Sequence, residues 1–292
     1  MNHRSGFVNI LGNPNVGKST IMNTLVGEKL SIVTPKAQTT RHRIMGIVNG
    51  EDFQIVYSDT PGILKPRYKL QESMMGFVNS ALSDADLIMY ITDITEKEAF
   101  ESEYIDRIKE SGIPVIIVIN KIDLSNQAEL ETIAIKWQGA FPQSPVIPVS
   151  AIKNFNLNGL LNAILEKLPE SPPYFPKDQL TDKYERFFAA EMIREKIFFN
   201  YQKEIPYSVE IEIESFKDEA KLLRISALIH VVRDSQKGII IGHKGSMLKK
   251  VGTEARIEME DFFRKKVFLE LHVKVTKDWR EKPTALKRFG YR

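Results

Sequence analysis

An α/β domain with a mostly parallel sheet, followed by a smaller α+β domain, is the fold this sequence predicts, and three observations predict it. From Phe7 to about Leu168, short apolar runs alternate with amphipathic helical patterns, which is how a parallel sheet covered by helices reads in a sequence. The run from Pro169 to Pro176 carries four prolines; proline lacks an amide donor and fixes φ, so this stretch cannot continue a helix and reads as a stiff linker. Beyond it the order becomes helix, two alternating strands, helix and strand, the pattern of helices on one face of a small sheet. A chain of 292 residues suits two domains, each burying its own core. The boundaries are set at 1–172 for the first domain, 173–182 for the linker and 183–292 for the second domain with its basic C-terminal tail.

In the first domain the strands are Phe7 to Leu11, Phe53 to Ser58, Leu87 to Thr92, Val115 to Asn120 and Val146 to Val149. Ile44 to Val48 pairs with Phe53 to Ser58 across the Asn49-Gly50 turn and adds one antiparallel edge strand. In the second domain, a helix over Lys183 to Asn200 precedes the strands Ser208 to Ser215 and Leu222 to Val232. A glycine-rich turn, a long helix from about Gly245 to Lys266 and a last strand, Val267 to Val275, complete the unit.

The chain has no cysteine, which excludes disulfides and thiolate metal sites. No run reaches the roughly 20 apolar residues of a membrane-spanning helix, and residues 1–6 lack the apolar core of a signal peptide; the reading is of a cytoplasmic protein. His3, His42, His230, His243 and His272 are scattered and form no ligand spacing. The net charge of +3 is divided unevenly: residues 1–180 carry 17 Lys and Arg against 20 Asp and Glu, whereas 181–292 carry 24 against 18. The basic excess of the second half suits a polyanionic partner, nucleic acid or membrane surface.

Three short motifs, each at the carboxyl end of a strand, converge on one ligand. Gly12-Asn13-Pro14-Asn15-Val16-Gly17-Lys18-Ser19, with Thr20 next, matches G-x-x-x-x-G-K-[ST] between an apolar strand and an amphipathic helix. Its backbone amides can wrap phosphates at a helix N-terminus, Lys18 can reach the β- and γ-phosphates, and the Ser19 hydroxyl can ligate Mg2+. Asp59-Thr-Pro-Gly62 puts a carboxylate where it can hold that Mg2+ through its water shell and leaves Gly62 free to approach the γ-phosphate. Asn120-Lys121-Ile122-Asp123 ends the most apolar strand. The two acceptors of Asp123 match the imino hydrogen and exocyclic amine of guanine, an arrangement adenine does not offer. Ser150-Ala151 can add a backbone N–H to the guanine carbonyl.

On these motifs residues 7–168 resemble a translation-factor-type P-loop GTPase domain. The resemblance implies hydrolysis of GTP to GDP, with loops between Gly27 and Arg43 and after Asp59 ordering around the γ-phosphate and Mg2+. Gln38-Thr39-Thr40-Arg41 supplies the switch hydroxyl; the resemblance favours Thr40 as the metal ligand, with Thr39 as the alternative. Ile63 stands where many GTPases place a glutamine that orients the attacking water, and isoleucine cannot orient water by hydrogen bonding. The domain is thus similar to the hydrophobic-substituted GTPases, some of which use K+ held by an asparagine at the place of Asn15, and slow intrinsic turnover is expected. Lys18, Asp59, Gly62, Thr40 and Asn15 are the expected catalytic set. Arg41 and Arg43 are expected on the surface beside the switch, as bystanders or charge-stabilising fingers.

In the second domain Gly242-His243-Lys244-Gly245 follows the apolar Ile239 to Ile241 and precedes the long helix. This resembles a type II KH domain, whose G-x-x-G loop clamps about four nucleotides of single-stranded nucleic acid. The glycines permit close backbone approach, His243 and Lys244 can contact phosphate, and Lys249 and Lys250 lie on the same side. Glu254, Glu258, Glu260 and Asp261 read as a solvated acidic face, and Ile257, Met259, Phe262 and Phe263 as core. The tail from Trp279 to Arg292 reads as aromatic and basic with no apolar stripe, completing an RNA site or fraying.

The GTPase motifs, the proline-rich linker and the C-terminal KH signature together resemble the Era family across essentially the whole chain. That resemblance implies a monomer that binds small-subunit ribosomal RNA near its 3′ end, acts in assembly of the small ribosomal subunit and makes peripheral contact with the inner face of the membrane. The alternatives are a GTP-dependent RNA-binding scaffold and a membrane-surface GTPase.

Overall fold

A computed structural model describes residues 3–96 and 103–291. It divides into two compact units, residues 3–66 with 74–182, and residues 67–73 with 183–291. Among the described residues no helix is long and apolar enough to cross a membrane.

The first unit runs β1 (Arg4–Leu11), α1 (Lys18–Val26), β2 (Ile44–Asn49), β3 (Phe53–Asp59), α2 (Lys69–Ser83), β4 (Leu87–Asp93), α3 (Glu103–Glu110), β5 (Val115–Asn120), α4 (Gln127–Ala140), β6 (Val146–Pro148) and α5 (Leu157–Lys167). The six strands form one sheet in the order β2-β3-β1-β4-β5-β6, in which only β2 runs antiparallel to its neighbour. Every residue of β4 and β5 is buried, as strands covered by helices on both faces must be. That explains why they read as continuous apolar runs. Register sets the functional edge: Ile10 lies opposite Asp59, Leu11 opposite Tyr90, and Asp93 opposite Asn120. The carboxyl ends of β1, β3, β4 and β5 therefore share one rim, where open α/β sheets bind ligands. Strand β1 begins at Arg4, three residues earlier than its apolar run, because residues 4–6 pair with Phe53, Gln54 and Ile55 of β3.

Residues 169–182 lie along this unit. Ser5 donates to the Pro169 carbonyl and Ile47 of β2 to the Leu180 carbonyl at 2.8 Å, while Thr181 bridges Gly46. The fully buried Gln54 side chain accepts from the Tyr174 and Phe175 amides and donates to the Phe175 carbonyl. Phe7 packs its ring against Tyr174 at 5.1 Å. The proline-rich segment is thus strapped to the sheet, and the first unit continues to residue 182.

The second unit runs α6 (Glu185–Asn200), β7 (Glu210–Asp218), β8 (Leu222–Val231), α7 (Asp234–Ile241), α8 (Ser246–Phe262), β9 (Lys266–Val275) and α9 (Pro283–Arg288). Its sheet has the order β7-β8-β9, with β7 antiparallel and β9 parallel to the central β8. Ile193, Ile197, Val251, Ala255 and Met259 form the buried seam of α6 and α8. Three expectations are corrected here. Three of the four acidic residues of α8 are engaged: Glu254 accepts from Asn200, Glu258 pairs with Lys196, and Glu260 accepts from the Val267 amide, while Asp261 stays exposed as expected. Ile257 is 57% exposed, so it is not core. The tail neither frays nor lacks apolar anchors, because Trp279, Leu286 and Tyr291 are all buried. Trp279 donates its indole N–H to the Ser208 carbonyl at 3.1 Å, and the Tyr291 hydroxyl donates to Glu210 at 2.7 Å. Trp279, Leu286 and Tyr291 fall in a short turn, in α9 and beyond it, so no continuous helical or strand period betrays them.

Candidate nucleotide and RNA sites

The loop between β1 and α1 is built by left-handed backbone. Gly12, Asn15 and Gly17 have φ of 145°, 67° and 95°, and a Cβ on Gly17 would meet the Asn120 side-chain amide at 2.2 Å. Glycine is therefore required at 17 both by conformation and by space. Lys18 Nζ spans the loop and donates to the carbonyls of Gly12 and Asn13 at 3.1 and 2.8 Å. Burial pushes the Lys18 ammonium down to about 8, against the opposing pull of Asp59 and Glu96. Such a cation, stripped of water and held at the loop crest, is arranged to meet an anion.

Beneath the loop the Ser19 hydroxyl donates to Asp59 Oδ2 at 2.6 Å and shares a 2.8 Å hydrogen bond with Thr40 Oγ1. Thr40 Oγ1 also donates to Asp59 Oδ2 at 3.3 Å. Thr39 points elsewhere: its hydroxyl donates to the Lys36 carbonyl at 2.7 Å and meets Thr34 Oγ1 at 2.6 Å. Asp59 Oδ1 is buried without a hydrogen-bond partner, and burial raises the carboxyl's pKa, opposed by the Ser19 hydroxyl and Lys18. A carboxylate and two hydroxyls around an unsatisfied buried oxygen form an all-oxygen donor set, the chemistry of a hard divalent cation. Magnesium fits there.

Gly62 lies against the loop, where a Cβ would come 2.8 Å from the Pro14 backbone. The Ile63 amide donates to the Gly12 carbonyl at 3.1 Å and its side chain is buried. Asn13 and Asn15 flank the crest, Asn15 exposed and Asn13 half-buried, and Val16 is buried. The base-side residues converge too. Asn120 Nδ2 donates to the Val16 carbonyl at 2.9 Å and Asn120 Oδ1 accepts from the Ala151 amide at 3.2 Å. Lys121 Nζ donates to the Asn15 carbonyl at 2.6 Å and pairs with Asp93. Asp123 is exposed, with Oδ1 accepting from the Ser150 hydroxyl at 2.5 Å. A cavity of about 430 Å³ opens over the phosphate loop, lined among others by Lys18, Ser19, Thr20, Thr40, Gly62 and Lys121.

Arg41 and Arg43 are not surface residues. Arg41 is fully buried, and the Arg43 guanidinium donates to both carboxylate oxygens of Asp84, at 2.6 and 2.9 Å, and to Ser58 and Asn9. Arg43 is a structural clamp and cannot serve as a finger. Sequence reasoning also missed Asp93, Thr92 and Glu96, which surround the back of the phosphate loop. The available signal was their place at the carboxyl end of β4.

In the second unit Gly242, Lys244 and Gly245 have φ of 72°, 48° and 79°. A Cβ on Gly242 would lie 2.7 Å from Met247 Cγ. The loop joins α7 to α8, and His243, Lys244, Lys249 and Lys250 are exposed beside it. Lys250 lies 3.9 Å from Glu254. A groove of about 360 Å³ between α8 and β9 starts at Gly245 and is lined by Leu248, Lys249, Gly252, Arg256, Leu269 and Leu271. An apolar floor with a cationic rim suits stacked bases and their phosphates.

Comparison with known proteins bears on both units. A family described as a 50S ribosome-binding GTPase matches residues 7–121, and the KH domain family matches residues 204–280. The GTPase Era of Geobacter metallireducens is 47% identical over 292 residues, covering 99% of this chain and 98% of its own. That of Syntrophus aciditrophicus is 45% identical over 291 residues, covering 99% and 95%. Among solved structures, Era in complex with MgGDPNP and nucleotides 1506–1542 of 16S ribosomal RNA matches with a TM-score of 0.95 at 40% identity, over 99% of both chains. A variant of Aquifex aeolicus Era bound to GDP and aluminium fluoride matches with a TM-score of 0.95 at 41% identity, again over 99% of both. With the phosphate-loop rim, a KH domain match over residues 204–280 and relatives of this identity over the length of the chain, the chain belongs to the Era family of GTPases.

Proposed function

We propose that this protein is a GTP-controlled RNA-binding switch that engages the 3′ region of small-subunit ribosomal RNA during assembly of the small ribosomal subunit. The observation that carries the reading is the meeting of Ser19, Thr40 and Asp59, which ties the loop carrying Thr40 to the phosphate site. Ser19 and Thr40 would hold magnesium directly and Asp59 through water; the bound ion neutralises charge on the transferring phosphoryl group. Lys18 binds the β- and γ-phosphates, Gly62 presents its backbone to the γ-phosphate, and Asp123 selects guanine with Ala151 contacting the base carbonyl. Hydrolysis removes the group that orders the loops carrying Thr40 and Gly62, and so releases them.

Ile63 cannot orient water, so intrinsic turnover is slow. Asn15, exposed at the cavity, would hold a potassium ion. In the second unit His243 and Lys244 meet phosphates while the groove beside α8 takes bases. The relative crystallised with both MgGDPNP and 16S ribosomal RNA supports this pairing of ligands.

The test is binding of a labelled single-stranded RNA matching the 16S 3′ region, measured with the protein loaded with GDPNP or with GDP. The two forms should differ in affinity, and a His243→Asp/Lys244→Asp variant should lose at least about tenfold through repulsion of phosphate. Equal affinity of the two forms would remove the switch, and an unaffected double variant would move the RNA site away from this loop.

A further inference from the structure

Behind the phosphate loop sits a carboxylate that the hydrolytic mechanism does not use. Glu96 follows the carboxyl end of β4 and is half-buried. Its Oε2 accepts from the Thr92 hydroxyl at 2.6 Å and its Oε1 from the side-chain amide of Asn13. Its own amide donates to the Asp93 carbonyl at 3.2 Å. Both oxygens are therefore fixed against the rear of the loop. On the other side of Asn13, the backbone carbonyl of that residue accepts from Lys18 Nζ. Lys18 and Glu96 are separated by the width of a single residue, and Asp59 and Glu96 are the two carboxylates whose charge Lys18 feels. Asp59 is accounted for by magnesium. Glu96 lies beside the place where a nucleotide would put two or three further negative charges.

We infer that Glu96 sets the rate of nucleotide release: its carboxylate repels the polyphosphate across Asn13 and so speeds the departure of bound nucleotide. The inference rests on the nucleotide-site reading above. Its physical basis is that charges in a partly buried site interact through an effective dielectric well below that of water, so repulsion at this range changes affinity by about tenfold. The same carboxylate steadies the Lys18 ammonium while the loop is empty, so the loop is ready for an anion yet holds it loosely. Burial raises the Glu96 pKa, countered by the hydrogen bonds from Thr92 and Asn13.

Two substitutions separate charge from tethering. Glu96→Gln keeps a carbonyl for Asn13 and an amide for Thr92 while removing the charge; Glu96→Ala removes both. Release of fluorescent GDP from the full chain, chased with unlabelled GDP in the presence of Mg2+, should slow about tenfold in Glu96→Gln, with association changed far less. The gain should shrink for GMP, which lacks the β-phosphate. Melting temperatures measured with and without GDP show whether each variant is folded. If Glu96→Gln releases GDP as the parent does and only Glu96→Ala differs, or if GMP gains as much as GDP, Glu96 is a tether and the inference is overturned. Failure of the parent chain to take up GDP would instead overturn the nucleotide-site reading.

Discussion

Thr39 and Thr40 carry the same hydroxyl on adjacent residues, and their surroundings separate their roles. Thr40 meets Ser19 and Asp59, whereas Thr39 closes a local loop onto Thr34 and the Lys36 carbonyl. Thr40→Ala should raise the Mg2+ concentration needed for half-maximal binding of a fluorescent GTP analogue by about tenfold or more, a loss at least as large as that of an outer-shell partner. Thr40→Ser should restore it, and Thr39→Ala should leave it within about twofold; equal effects at both positions would detach Thr40 from the metal. Residue types alone leave these two threonines open because both satisfy the motif. Both are buried, and the hydrogen-bond partners decide between them: that of Thr40 is Asp59, 19 residues further along the chain. The phosphate loop, by contrast, is legible because its eight residues are contiguous and do their work through backbone geometry that glycine spacing encodes. Arg43 shows the opposite case. Position beside a switch suggests a surface residue, yet Asp84, Asn9 and Ser58 arrive from three other segments to bury it.

At the scale of elements, the succession and type of helices and strands follow from period and from proline and glycine placement, so the α/β-then-α+β fold was readable. The docking of the proline-rich segment was not. Nothing local marks Gln54 as different from any other strand glutamine, and its function emerges only when residues 174 and 175 lie against it. Its side chain makes four hydrogen bonds, three of them to that segment and one to Asn49. Gln54→Ala should therefore cost the first unit about 2–4 kcal/mol, the size expected when a buried hydrogen-bond network loses its centre. The same change should expose residues 169–182 to proteolysis, read by limited digestion beside urea unfolding. Gln54→Glu should also destabilise, because a carboxylate cannot donate to the Phe175 carbonyl. A Gln54→Ala protein as stable and as resistant as the parent would mean that the backbone pairs to β2 hold the segment unaided.

At the scale of the whole molecule, each unit contains one tryptophan, Trp137 in the first and Trp279 in the second, so the acid response of the second can be followed by itself. In the second unit the side chain of His230 is 1% exposed; its Nε2 lies 2.9 Å from Glu212 and its Nδ1 2.8 Å from Thr276 Oγ1. A carboxylate only accepts, so Nε2 carries the proton and Nδ1 accepts from the threonine. Glu212 also receives the Arg288 guanidinium from α9, and the His230 ring packs on Phe289 at 4.9 Å. This cluster fastens the tail to the sheet. Burial lowers the His230 pKa more than Glu212 raises it. Burial alone would raise that of Glu212, but Arg288 and His230 outweigh it and the net shift is downward. In both cases the unfolded chain binds protons at a higher pH than the folded one, so stability falls as pH falls. The loss begins below the ordinary histidine value of about 6.5 and deepens below the ordinary glutamate value of about 4.3. In a Trp137→Phe protein, where fluorescence reports only Trp279, the urea midpoint should drop steadily from pH 7 to pH 4. His230→Gln, which retains a donor for Glu212 without a titrating ring, should flatten the upper part of that slope between pH 7 and 5 and leave the lower part. A midpoint independent of pH across that range would show that the tail is held by the packing of Trp279, Leu286 and Tyr291 rather than by the histidine cluster.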